Sequence, residues 1–177
     1  MTIRVALKND AQYIADIHTQ SWRNTYQSAL TKQYLADIVP KERAEVWKDR
    51  LENPKSNQYV IVAERDGKVV GFGCVYAGEN KEWGAYLDNL HVSKPYQSKG
   101  IGKLLMAEIA QWCSKEESDK GICLLVNQDN TKALEFYKKV GGRNARRGIW
   151  NAPDGSIVPT YWLVWDDLNK LRNMVNV

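Results

Sequence analysis

Between Ile3 and Leu7 apolar and polar side chains alternate, the period of a half-buried strand. Asn9-Asp10 then offers a helix cap ahead of Tyr13, Ile14, Ile17 and Ser21-Trp22, which recur at helical spacing. A second helical stretch runs from Thr31 through Tyr34, Leu35 and Ile38. It resumes after Pro40 with Val46, Trp47 and Leu51, and stops at Asn53-Pro54. Tyr59–Glu64 and Val69–Tyr76 flank Asp66-Gly67 and predict a tight hairpin. Ala77–Lys81 reads as a polar turn and Trp83–Val92 as the next strand, ending near Pro95, so three consecutive strands form an antiparallel meander.

From Gly100 the period changes. Ile101, Leu104, Leu105, Ile109 and Trp112 mark one face of a helix expected to last until Lys115-Glu116-Glu117. A strand over Gly121–Val126 follows, then a helix opened by Asn130 with Ala133, Phe136, Tyr137 and Val140 on its apolar face, stopped by Gly141-Gly142. Arg146–Asn151 and Ile157–Trp165, around Asn151-Ala152-Pro153-Asp154-Gly155, predict a closing hairpin. This order is mixed α/β, with the third and fourth of the central strands parallel across a right-handed crossover. Residues 1–177 read as a single domain, a length that suits one core, and no repeat or linker interrupts them.

The net charge of +4 is scattered, which argues against nucleic acid as a partner; the modest surplus would help attract a phosphate-bearing ligand and equally suits an ordinary solvated surface. Cys74, Cys113 and Cys123 are odd in number, lack metal-site spacing and sit in apolar stretches, so they read as buried thiols, with no disulfide framework and no metal. The amino terminus lacks a signal-peptide core and no window approaches the roughly 18 apolar residues of a membrane span, so a cytoplasmic protein is expected.

The chemistry centres on Gln97-Ser98-Lys99-Gly100-Ile101-Gly102. A dinucleotide fingerprint needs a third glycine and a preceding parallel strand, and a Walker loop needs Ser or Thr where Leu104 follows Lys103, so both readings fail. What remains is a helix start where two glycines let backbone approach a ligand. The N–H groups of Ser98 through Lys103 then point at an anion, aided by the helix dipole and by Lys99 and Lys103.

Leu90-His91-Val92, Gln97, Gly100, Gly102 and Leu105 together resemble the acetyl-CoA-binding motif of the GNAT superfamily of N-acetyltransferases. Asn130, Ala133, Phe136-Tyr137 and Gly141-Gly142 are similar to its second signature. The specific part spans about Leu87 to Gly142. The resemblance implies a mixed, mostly antiparallel sheet of about seven strands, V-shaped between strands 4 and 5 and flanked by about four helices. It implies acetyl-CoA as co-substrate. Leu90, His91 and Val92 are assigned to the pantetheine arm, with an amide near Leu90 as oxyanion donor, and Gln97, Ser98, Lys99, Gly100, Ile101, Gly102 and Lys103 to the pyrophosphate. Asn130 is assigned to the pantetheine or its surroundings, and Tyr137 to the sulfur as general acid. A phenol near ~10 donating to a thiolate near ~8.5 is mildly uphill but well placed.

Family members with a glutamate base on the central strand carry it where this chain has Tyr86, a poor base. Asp88, two residues on and roughly 7 Å further along the same face, is the candidate base, with Glu79 and Glu82 as rivals. His91 is expected on the opposite face and His18 to be structural. Trp22 and Tyr26, facing Trp150, Tyr161 and Trp162 of the closing hairpin, are expected to line the acceptor pocket beside Tyr86. Aromatic walls suit a cationic or flat substrate. The loops Tyr26–Leu35 and Ala77–Trp83 are expected to select the acceptor, a small-molecule or peptide amine. With no cysteine at the catalytic end, direct attack in a ternary complex is expected rather than an acyl-enzyme. A silent acyl-CoA sensor is the competing reading, and an exposed edge strand permits a homodimer.

Overall fold

The computed structural model describes residues 1–116 and 120–175. Seven strands form one sheet in the order β1-β2-β3-β4-β5-β7-β6. They are β1 (Thr2–Val5), β2 (Gln58–Arg65), β3 (Lys68–Asn80), β4 (Gly84–Val92), β5 (Ile122–Asn127), β6 (Arg143–Asn151) and β7 (Ile157–Trp165). Every neighbouring pair is antiparallel except β4 and β5, which are parallel. α1 (Ala11–Thr25) and α2 (Val39–Glu52), the latter entered through a π-helical turn at Tyr34–Ile38, cover one face. α3 (Ile101–Glu116), α4 (Thr131–Lys139) and α5 (Leu168–Val175) cover the other. No described helix is long and apolar enough to cross a membrane.

The alternation along β2, β3 and β4 feeds two cores. Ile61, Val75, Leu87 and Leu124 meet Leu105, Ile109 and Cys113 of α3, while Val60, Val62, Phe72 and Cys74 meet Ile14 of α1 and Trp47 of α2. Glycines permit this closeness on β3: a Cβ on Gly73 would lie 2.7 Å from Ile109 Cδ1. A third apolar group joins Trp22, Leu30, Tyr34 and Leu35 to Ala152 and Val158 of the closing hairpin. Asp154 fixes that junction by accepting the Thr31 N–H (2.9 Å).

Three elements depart from expectation. β3 runs on to Asn80, through the stretch read as a turn; Asn80 pairs with Gly84 and its Oδ1 caps the real turn by accepting the N–H groups of Glu82 and Trp83. β6 begins at Arg143, three residues early, because the strand pairs with β7 across a bulge between Asn144 and Arg146. α5 was not anticipated; Asp167 caps its start through the Lys170 N–H (3.0 Å), and Leu168 and Leu171 bury against the α3 core. The expected end of α3 included Glu117, which lies outside the described residues.

Candidate active site

β4 and β5 pair only at Ala85–Ile122 and Tyr86–Cys123. Beyond these two pairs β4 continues to Val92 and β5 to Asn127 with no ladder between them, so the sheet opens as a V. At its vertex the Ala85 N–H donates to the Gly121 carbonyl (3.1 Å).

A β-bulge decides which amides face the opening. Cys74 pairs with Asn89 and Val75 with Leu87, leaving Asp88 without a partner on β3. The Ser93 N–H donates toward β3, to Val70 O (2.9 Å), so counting back by twos puts the amides of His91 and Asn89 on the β3 side. Those of Leu90 and Val92 therefore face the V. The bulge also overturns the expectation for His91. Strict alternation opposes it to Asp88, but Asp88 and Asn89 both accept from Arg50 Nη1 on α2 (2.7 and 3.1 Å), and the His91 ring lies 4.9 Å from that of His18 on α1. All three side chains occupy the α1–α2 face.

At the far end of β4 the chain turns through Ser98 (φ 60°) and Gly100 (φ 81°) into α3. The first helical bond runs from the Leu104 N–H to Gly100 O (3.1 Å), leaving the amides of Ile101, Gly102 and Lys103 without a helical acceptor. Such donors at a positive dipole end fit a pyrophosphate. Gln97 holds the loop by donating from Nε2 to Val92 O (2.9 Å), and the Lys99 ammonium lies over the Tyr96 ring. The two glycines differ in purpose. Space around a Cβ at Gly100 is open, so only its left-handed backbone requires glycine, whereas a Cβ at Gly102 would stand 3.2 Å from Phe136 Cζ, so Gly102 lets α4 pack on α3. Gly100→Val is therefore expected to raise KM for acetyl-CoA about tenfold, from a backbone strain of roughly 1–2 kcal/mol, with kcat little changed; initial rates across acetyl-CoA concentrations measure this.

Asn130 is the N-cap of α4, its Oδ1 accepting the Ala133 N–H (3.2 Å), so it orients the helix that carries Tyr137. Tyr137 is buried, its ring packed between Phe136 and Trp165. Burial, with a smaller contribution from Tyr26, pushes its phenol up, so the hydroxyl keeps its proton. Burial pushes Tyr86 up as well, with contributions from Asp88 and Tyr26, and Tyr26 itself reaches about 12. Electrostatic influence thus links Tyr26, just past α1, to Tyr86 and to Tyr137, and Asp88 to Tyr86.

Asp88 is an ion-pair partner of Arg50 (2.7 Å), half-buried, with one oxygen engaged. The rival carboxylates are engaged too: Glu82 pairs with Arg146 (3.2 Å), and Glu79 accepts weakly from Asn57 (3.5 Å). Beneath Asp88, His18 is fully buried. The Trp47 indole, which can only donate, donates its N–H to His18 Nδ1 (2.9 Å), so a neutral ring carries its proton on Nε2, and the 3.4 Å approach of that nitrogen to Asn89 Nδ2, also a donor, is a contact and not a hydrogen bond. Burial holds His18 well below its usual value, with His91, Arg43 and Arg50 adding to it, and burial lowers His91 to about 4. His91 Nδ1 shares a proton with Ser21 Oγ (2.8 Å). A histidine pKa depressed on folding stabilises fully above the unfolded value near ~6.5 and loses that contribution as pH falls through the folded value. Stability is thus expected to decline from about pH 6.5 to 4. With two histidines in the chain, imidazole NMR signals are expected not to shift between about pH 5.5 and 8; a titration near neutrality contradicts this.

Trp22, Tyr26 and Trp150 form one aromatic group, with ring centroids 5.4–5.5 Å apart. Trp162 bridges Trp83 (5.3 Å) and Tyr86 (6.0 Å) in another. The expected cation-accepting faces are partly taken by the protein itself: Arg43 lies over Trp22 (4.7 Å) and Arg146 over Trp83 (4.5 Å). Tyr161 turns to the other face, against the α3 core. Sequence reasoning missed Arg43 and Arg50. Their spacing with Trp47 (i, i+4, i+7) puts all three on one face of α2, a signal that was present but was read for its tryptophan alone.

A parallel pair forced apart beside a helix start rich in free amides defines an acyl-CoA-dependent transferase. The chain belongs to the acetyltransferase (GNAT) family, whose model matches residues 13–142. It is similar to the uncharacterized N-acetyltransferase YuaI of Bacillus subtilis, 25% identical over 99% of both chains. L-amino acid N-acetyltransferase AaaT of Escherichia coli is 29% identical over 80% of this chain and 82% of its own. The fold matches the crystal structure of PaiA N-acetyltransferase from Thermoplasma acidophilum in complex with coenzyme A, with a TM-score of 0.69 at 20% identity, covering 90% of this chain and 96% of that one.

Proposed function

We propose that the chain moves an acetyl group onto a primary amine by direct attack in a ternary complex, with both substrates meeting where β4 leaves β5. The observation that carries this reading is the confinement of β4–β5 pairing to two residue pairs, which frees the amides of Leu90 and Val92 along the V. Acetyl-CoA, when bound, supplies an acetyl thioester as electrophile. The amides of Ile101, Gly102 and Lys103 hold its pyrophosphate, and those of Leu90 and Val92 its pantetheine arm, with a β4 amide near Leu90 donating to the carbonyl oxygen as negative charge develops.

Tyr137 holds the proton that the leaving sulfur needs; its hydroxyl donates as the bond breaks. The acceptor nitrogen must shed a proton before it attacks. Asp88 is the candidate that receives it, through the oxygen Arg50 leaves open. Arg50 already holds Oδ2 of this carboxylate, so a water relay shares the proton transfer. The acceptor enters from the α1–α2 side, between Trp22 and Tyr26 on one flank and Tyr86 on the other.

Initial rates measured while both acetyl-CoA and an amine are varied test this reading. Intersecting double-reciprocal lines are expected, and parallel lines, the pattern of an acyl-enzyme, contradict it.

A further inference from the structure

Arg43 on α2 is a mostly buried cation whose ion pair with its neighbouring carboxylate is long. Its side chain is 13% exposed, its Nε is buried with no hydrogen-bond partner, and its ion pair with Glu42 spans 3.7 Å. The Glu42 carboxylate is instead engaged by the Tyr34 hydroxyl at 2.5 Å. Arg50, two turns along the same face, shows the contrast, with a 2.7 Å bond to Asp88. Burial lowers the Arg43 pKa, partly offset by Glu42 and Tyr34, which marks an environment that disfavours a bare cation. A guanidinium presents five donors, and buried charges are ordinarily paired. The other buried orphan side-chain atoms among the described residues are Asn127 Nδ2 and Thr160 Oγ1. Asn127 and Thr160 are register partners on β5 and β7. Strand alternation places both on the α1–α2 face, opposite Val126 and Tyr161 of the α3 core. Two of these three orphans can only donate.

We propose that Arg43, stacked on Trp22 in the aromatic group shared with Tyr26 and Trp150, binds the carboxylate of the acceptor, so that the amine acetylated belongs to a small molecule carrying its own carboxylate, of the amino-acid class. The inference rests on the acetyl-transfer reading above. A carboxylate accepts two N–H bonds from the planar fork while Trp22 keeps the guanidinium flat. The same cation repels a polyamine.

The test is release of coenzyme A thiol with amino acids, their carboxamides, spermine and a lysine peptide, for wild type, Arg43→Met and Arg43→Lys. Wild type is expected to prefer an amino acid over its carboxamide by about 100-fold in kcat/KM, mostly through KM. Arg43→Met erases that preference and leaves the carboxamide within about threefold. A second measurement on wild type alone is independent of how the variants fold: the carboxylic acid lacking the amine is expected to inhibit competitively against the acceptor, and its amide is not. Turnover with equal use of carboxamide or spermine, or equal inhibition by acid and amide, overturns the Arg43 assignment and leaves acetyl transfer standing. Binding of acetyl-CoA with no turnover of any amine overturns the transfer reading, and the assignment falls with it.

Discussion

Replacing Tyr137 by Phe is expected to lower kcat by about 10²–10⁴-fold, the usual contribution of a positioned acid, while KM for acetyl-CoA changes little. The substitution removes one oxygen and keeps the ring that packs between Phe136 and Trp165, so α4 and its Asn130 cap remain in place. What is lost is the proton at the sulfur. Burial raises the Tyr137 phenol, which keeps it protonated at neutral pH and makes donation steeper until a thiolate develops beside it. The deficit is therefore expected to shrink with thioesters whose thiols are more acidic, because these leave without a proton. An unchanged kcat in Tyr137→Phe returns this residue to a packing role.

Gly121→Ala is expected to cost about 3 kcal/mol or more of stability, since overpacking against backbone has no soft neighbour to yield. That corresponds to a melting temperature lower by about 6–12 °C in a chain of this size. A Cβ at Gly121 would sit 1.9 Å from the Trp165 carbonyl oxygen and 2.9 Å from its carbon. The same glycine accepts the Ala85 N–H at the vertex of the V, so relief of the clash must move β5 away from β4 or from β7. Loss of acetyl-CoA affinity is expected to accompany the lower melting temperature. Thermal unfolding and acetyl-CoA titration of the same preparation measure both; a variant as stable as wild type contradicts the tight vertex.

Much of this architecture is legible in the sequence because its signals are local. Gly100 and Gly102 announce a tight approach to a helix start, and the period change at Ile101 locates α3. The meander follows from the alternation along β2, β3 and β4. The illegible parts are relational. Asp88 looks like one more residue in an alternating strand; only its missing partner on β3 makes it a bulge, and that bulge turns the amides of Leu90 and Val92 toward the V. Asn130 reads both as the start of a helix and, within its motif, as a cofactor ligand, and its side chain caps that helix. Arg43 is a surface-type residue in a polar helix until α2 lays it on Trp22. α5 escaped because eight residues carry too short a period, although Asp167 before Leu168 and Leu171 is a cap signal.

Burial also reassigns the histidines. Their ordinary pKa makes them attractive bases, yet His18 serves as acceptor for Trp47 and His91 as partner for Ser21. Both support the floor beneath Asp88, and burial holds both below their usual value, so neither is the source of a rate dependence on pH near neutrality.

The central claim is that the V between β4 and β5 brings acetyl-CoA to an amine for transfer. Coenzyme A thiol released from acetyl-CoA by the purified protein, followed with and without an amine panel and matched to acetylated product by mass spectrometry, tests it most directly. Thiol release that requires both amine and enzyme and equals the product formed is the predicted result. Tight acetyl-CoA binding with no amine-dependent release from any acceptor, the behaviour of a sensor, would contradict it.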